Sequence, residues 1–335
     1  MSNNLPDDLP DLESIRATAK QIAPHTRQTP YLKNYGVALA RQLSDIDLHL
    51  KLELFQQTGS FKARAAVAIV QDLSDAAKAH GVTAFSAGNH AIATAYAAAV
   101  GGVSAKVVMP STANPYRVNT CQQYGAEVVL ADSIADARLL VERLQQEEGR
   151  TPIHPFEGRA TTRGTATLGL EIADADPQLQ DIVVPIGGGG LISGIACAIK
   201  QVNPSCRVFG VEPEGACGMS QSLDQGSPLD KVTVKTIADS LGAPLHLPYS
   251  YGIVNACVDK VVTVSDDQMR NMMCTMFEDL NLAVEPAGAA AIAAIDGPLK
   301  DTLSGRRVAA VVCGSNIDRS TWLKLTDQST AQVPV

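Results

Sequence analysis

Lys62 stands inside Leu54–Ala66, LFQQTGSFKARAA, with Thr58, Gly59, Ser60 and Phe61 before it and Ala63, Ala65 and Ala66 after it. A lysine in such company is either a side chain that snorkels at the edge of a helix or a partly buried amine. Burial disfavours the ammonium and lowers its pKa, and a neutral amine can form an imine with an aldehyde cofactor. A second stretch, Gly187–Gly190, sets four consecutive glycines between the apolar run Asp181–Ile186 and the apolar segment from Leu191 to Val202. Uncovered backbone N–H groups at the positive end of a helix bind phosphate. A dinucleotide site is the rival reading, because Gly188-x-Gly190-x-x-Ser193 approaches GxGxxG and Glu212 follows the next strand. Its third glycine is missing, however, and its first strand–helix unit would lie in mid-chain. Two further loops carry polar groups in apolar surroundings: Ser86-Ala87-Gly88-Asn89-His90 and Cys313-Gly314-Ser315-Asn316.

These stretches need elements to hold them. Leu12–Ile22 has helical apolar spacing and Asp47–Glu53 alternates as a half-buried strand. Beyond the Lys62 loop and its helix the chain repeats a strand, loop and Ala-rich helix rhythm. Strands are expected at 82–85, 105–109, 127–130, 181–186, 208–212, 258–264 and 307–312. Helices are expected at 91–100, 115–124, 134–148, 164–173, 191–202, 265–280 and 285–295. That alternation implies parallel βαβ units, whose ligands sit at the carboxyl ends of the strands, where the Ser86–His90 loop falls.

Composition narrows the function. With 27 basic and 35 acidic residues the net charge is −8, and no basic cluster stands out, which disfavours nucleic acid and anionic membranes as partners. The seven cysteines are scattered without a CxxC pair, as expected of thiols in a reducing compartment, and show no zinc spacing. The acidic start MSNNLPDDLPDLES is no signal peptide, and Ala84–Ala105, interrupted by Asn89 and His90, reads as a packed helix and not a span.

Taken in order, Lys62, Ser86–His90, Gly187–Gly190 and Cys313–Asn316 resemble the fold-type II pyridoxal phosphate enzymes, most nearly the threonine and serine dehydratase and serine racemase group. Met109-Pro110, Tyr124-Gly125-Ala126, Thr236-Ile237-Ala238-Asp239 and Glu285-Pro286-Ala287-Gly288 extend the likeness from Thr29-Pro30 to about Asp318. The resemblance implies a two-domain α/β fold of the tryptophan synthase β type, with parallel-rich twisted sheets flanked by helices. A large cofactor-binding domain of residues 1–70 plus 156–335 would carry a small mobile domain, 71–155, inserted into it.

By the same resemblance Lys62, next to Phe61, would hold pyridoxal 5'-phosphate and shuttle the Cα proton. Gly187, Gly188, Gly189, Gly190 and Leu191 would cradle the phosphate, and Asn89 would bond the phenolic oxygen. Cys313 would face the pyridine nitrogen, and Glu285 would lie near the ring. Ser86, Ala87, Gly88, Asn89 and His90 would receive the substrate carboxylate, with His90 structural, and Ser240 would stand near the substrate side chain where glycine is usual. Serine racemases of the group carry a serine base where Ala87 stands, so a dehydratase is favoured. Cysteine synthases have threonine where His90 stands. Relatives hold a divalent cation after the Glu-Pro dipeptide. Here Glu212 and the Ala216 carbonyl remain, but Gly218 replaces the second acid. Arg159 and Arg163 are either solvated charges or partners for an acidic substrate.

The expected protein is a cytoplasmic homodimer that converts a small 3-hydroxy amino acid to a 2-oxo acid and ammonia. Threonine, serine, 3-hydroxyaspartate and an aryl serine are all open as substrates. An amino acid racemase, a β-replacing synthase and a non-catalytic cofactor-binding protein are the alternatives. With about twenty residues after Asn316, no regulatory domain is expected there.

Overall fold

The computed structural model describes residues 6–327; the expected domain limits at 1 and 335 lie outside the described residues. Ten strands form two sheets. They are β1 (Tyr31–Lys33), β2 (Asp47–Leu52), β3 (Val82–Phe85), β4 (Ala105–Pro110), β5 (Glu127–Ala131), β6 (Thr151–Pro152), β7 (Asp181–Pro185), β8 (Arg207–Pro213), β9 (Lys260–Val264) and β10 (Arg307–Val312). The larger sheet runs β1-β2-β10-β7-β8-β9 and the smaller β5-β4-β3-β6. Every pairing is parallel except β1 with β2. Parallel sheets are covered on both faces, which is why β7, DIVVP, reads as a continuous buried run instead of an alternating one.

Register places the chemistry. Val312 pairs with Leu52 and Pro185 with Val211, so the loops leaving β2, β10, β7 and β8 emerge along one edge. Beyond that edge Ser60 and Gly314 form an isolated bridge, Phe61 N donates to Cys313 O at 3.1 Å and Ser315 N to Gly59 O at 2.9 Å. The Lys62 loop is thereby sewn to the Cys313 loop. Gly59, at φ +71, makes a turn that an L side chain rarely adopts.

The Lys62 helix (Lys62–Gln71) serves both sheets. Phe61 packs on the larger core, whereas Ala66, Val67, Ala68 and Val70 join the core under the smaller sheet. Helix Arg159–Ala175 begins five residues before the expected 164, with Gly164 inside it. A Cβ at Gly164 would lie 2.5 Å from Ala65 Cα, so the glycine lets this helix press against the Lys62 helix. Ser265 caps helix Asp266–Leu280 with a full capping box closed by Gln268. No helix among the described residues is long and apolar enough to cross a membrane.

Candidate active site

Lys62 is the first residue of its helix, behind Phe61, and its Nζ lies 4.9 Å from the centre of the Phe61 ring. The amine donates to the carbonyl of Pro155. Burial brings its pKa down to about 8, which neighbouring Cys313 only partly opposes. The neutral amine is therefore within easy reach near neutrality.

Pro155 belongs to the crossing segment between β6 and helix Arg159–Ala175. Phe156, next along, lies on the glycine run: a Cβ at Gly188 would fall 2.2 Å from its ring and one at Gly190 2.6 Å from its Cα. Gly189, at φ +98, turns the chain into helix Gly190–Val202, and Leu191 is buried in that helix's first turn. Among the described residues, the N–H groups of Gly187, Gly188 and Gly189 have no hydrogen-bond acceptor. A cradle of free amides at the head of a long helix fits a phosphate. With an amine one residue from the segment that covers it, the residues present fit pyridoxal phosphate. Glu157 closes the cradle's far side by accepting from Tyr249 N (2.6 Å) and Ser250 Oγ (2.7 Å).

The loop after β3 supplies the opposite wall. Ser86 Oγ accepts from Gly88 N at 3.1 Å, which shapes the turn. Asn89 opens helix Asn89–Gly101, donates to Glu285 Oε1 at 2.7 Å and to Ser240 Oγ at 3.4 Å, and accepts from Asn316 Nδ2 at 2.6 Å. His90 bonds the Ile153 carbonyl at 2.8 Å through Nε2. Burial and the Lys62 charge push its pKa down to about 3, so it stays a neutral donor. Ala87 lines a cavity of about 230 Å³ shared with Glu285, Arg117 and Ile237.

Glu285 is the N-cap residue of the small-residue helix Pro286–Asp296, and Ser240 Oγ donates to its Oε2 at 3.2 Å. Burial, with Asp239 nearby, raises its pKa to about 7 against the pull of Arg117, Asn89 and Ser240. Cys313 is buried at the end of β10, and burial pushes its thiol well up, so it stands protonated. A neutral thiol imposes no proton on a ring nitrogen beside it.

The residues after Glu212 do not form a cation cage. Glu212 spends one carboxylate oxygen on Met219 N (2.7 Å) and the other on Ser220 N (2.8 Å) and Ser220 Oγ (2.7 Å), capping helix Gly218–Gln225. The place of a Gly218 side chain is taken by Val232 and by His246 Nε2, 2.7 Å from where a Cβ would sit. Ala216 lies in the 3₁₀ turn between them. Among the described residues no three His, Cys, Asp or Glu side chains gather for a metal.

Arg159 and Arg163 stay out of the site: Arg159 Nε donates to Asp8 O at 2.9 Å and Arg163 pairs with Asp72. The arginine that does line the cavity is Arg117, which the sequence does not single out. Asn316 also gains a part, donating to Thr58 O at 2.7 Å as well as to Asn89.

Comparison with known proteins agrees with this geometry. The model of the "Pyridoxal-phosphate dependent enzyme" family matches residues 22–314. The chain is 45% identical to a phenylserine dehydratase of Ralstonia pickettii over 94% of this chain and 96% of that protein. It is 37% identical to a catabolic L-threonine dehydratase of Staphylococcus aureus over 92% and 89% of the two chains. Among solved structures, maize serine racemase superposes with TM-score 0.88 at 34% identity, covering 95% of this chain and 98% of that one. With the lysine, the glycine cradle and the fold in agreement, the chain belongs to the pyridoxal-phosphate dependent enzyme family.

Proposed function

We propose that the protein is a dehydratase that converts a 3-hydroxy amino acid, aryl serine included, to a 2-oxo acid and ammonia. One observation carries this reading: Lys62 offers a buried base with an accessible neutral form. By the family likeness Ala87 stands where a racemase would need its second base, and it has no proton to exchange. The phenylserine and threonine dehydratase relatives support it.

Bound pyridoxal phosphate supplies an electron sink that acidifies the Cα–H of an attached amino acid and lets a β-hydroxyl depart. The chain does the rest. Lys62 anchors the cofactor and moves the Cα proton; Gly187–Gly190 hold the phosphate through backbone N–H groups; Cys313 leaves the pyridine nitrogen unforced. Ser86 and the amides from Ala87 to His90 fix the substrate carboxylate, with Asn89, Ser240 and Glu285 walling the reacting side. The released enamine tautomerises and hydrolyses in water to the 2-oxo acid and ammonia. Residues 71–155 act as a small domain that closes over the substrate and excludes water. A reducing, cytoplasmic setting is supported by seven cysteines that stand free of disulfides, and a homodimer by the family likeness.

The test is release of 2-oxo acid and ammonia from threonine, serine, 3-hydroxyaspartate and 3-phenylserine in both stereochemical series, with Lys62→Ala alongside. Release from one or two members, lost in Lys62→Ala, is expected. Cofactor-loaded protein that releases nothing from any of them is not a dehydratase of this class.

A further inference from the structure

Arg117 lies on helix Pro115–Gln123, which follows β4 in the smaller sheet, yet every acceptor it meets except one belongs to the other side of the cleft. Its Nη1 reaches Asp239 Oδ2 at 2.6 Å, and its Nη2 donates to Asn316 O at 3.2 Å and stands 4.0 Å from Glu285 Oε2. The exception is Ala87 O, 3.5 Å from Nη1. The guanidinium lies against the substrate-facing loop itself: a Cβ at Gly88 would be 3.3 Å from Nη1. Arg117 is the sole cation among the described residues lining the cavity of about 230 Å³.

The two halves of its ion pair differ in how firmly they are held. The Arg117 side chain is 11% exposed and the Asp239 side chain 59%. An exposed carboxylate loses little by returning to water, whereas a buried guanidinium must keep an anion near it. An amino acid whose carboxylate rests on the Ser86–His90 loop brings such an anion next to Gly88. Planar guanidinium and carboxylate groups match in a bidentate fork.

Resting on the amino-acid reading above, we propose that Arg117 is a substrate-binding residue that releases Asp239 to take the substrate carboxylate. Asp239 then serves as a stand-in for the substrate, holding Arg117 in place until one arrives.

The experiment compares Arg117→Met, Arg117→Lys and Asp239→Asn holoenzymes with the parent. L-threonine, 3-phenylserine and the amino alcohol of phenylserine that lacks the carboxylate are titrated against the absorbance of the bound cofactor. KM and kcat are measured for the two amino acids. Arg117→Met should weaken the amino acids by about 10- to 100-fold, the loss expected of a charge-assisted hydrogen bond, and leave the amino alcohol unchanged. Arg117→Lys should recover part of the loss. Asp239→Asn, which removes the competing anion, should tighten amino acid binding. Equal weakening of acid and alcohol by Arg117→Met, or weakening by Asp239→Asn, would make the pair a structural latch and overturn the proposal, as would unchanged affinity in Arg117→Met. Parent protein that binds amino acids without turnover sinks the dehydratase reading instead, and the Arg117 comparison still reads out from binding.

Discussion

The first turn of the Lys62 helix feeds two buried polar clusters, and they behave in opposite ways. Arg64, two residues on from Lys62, turns to a quartet with Lys51, Glu53 and Glu171. It grips Glu53 twice at 2.8 Å and Glu171 at 2.7 and 2.9 Å, and Lys51 joins Glu171 at 2.6 Å. Two cations meet two anions. Burial alone would raise Glu53, but Arg64 overrides it and holds the carboxyl below its usual range; burial likewise opposes the Arg64 charge, and its two glutamates override it. Lys51 is the exception: burial there outweighs both acids and weakens its charge. Around Lys62 no such matching exists, and burial wins throughout: the amine falls, and Glu285 and Cys313 rise. Burial with matched partners fixes charges in place. Burial without them leaves protons that can move, which is what proton transfer at Cα requires.

That contrast can be broken from either side. Lys62→Ala should abolish turnover while leaving the denaturation midpoint of cofactor-free protein close to that of the parent, since the lysine has no charged partner to orphan. Glu53→Gln should do the reverse. It leaves Arg64 short of a counter-charge and should cost about 3–5 kcal/mol of stability, read from urea unfolding. A loss under 1 kcal/mol would mean that Glu171 alone satisfies the guanidinium.

A smaller effect sharpens the Lys62 half. Cofactor capture needs the neutral amine, so its rate in cofactor-free protein should climb roughly tenfold per pH unit up to about 8 and then level off. A rate still climbing past pH 9 would show an ordinary exposed lysine. The smallest effect concerns Glu285. Its folded pKa of about 7 lies above the usual carboxyl value of 4.5, so the stabilising contribution is complete below pH 4.5 and is lost as pH rises through 7. Thermal melts of Glu285→Gln should show a shallower decline over that window than the parent, and parallel curves would rule out the raised pKa.

Much of this was legible in the chain itself, and the reasons it was legible differ from place to place. Strands such as 181–185 and 307–312 declare themselves by the short apolar runs Ile182–Val184 and Val308–Val312, and four glycines before a helix admit few structural readings. Gly164, by contrast, reads as the first residue of its helix; only the Ala65 backbone opposite it explains why a glycine sits in the helix interior. The antiparallel β1, three residues long, is too short to show any alternation. Arg117 sits in a mostly polar helix and meets Asp239 from 122 positions away, so its part depends wholly on how the two sheets face each other. Sequence patterns report local periodicity and backbone demands; they do not report which distant side chain completes a charge.

The bridge from Ser60 to Gly314 also has a kinetic side. β10, the last strand in the described chain, does not add to an edge of the larger sheet but inserts between β2 and β7. Until it arrives, β2 and β7 have no neighbour in common and the loop before Lys62 has nothing to pair with. Contacts between such remote residues come late in folding, because a long loop must close before they bring any reward. The cofactor lysine therefore takes its working position only once β10 has inserted, and capture of the cofactor serves as a report that this last strand of the described chain is in place.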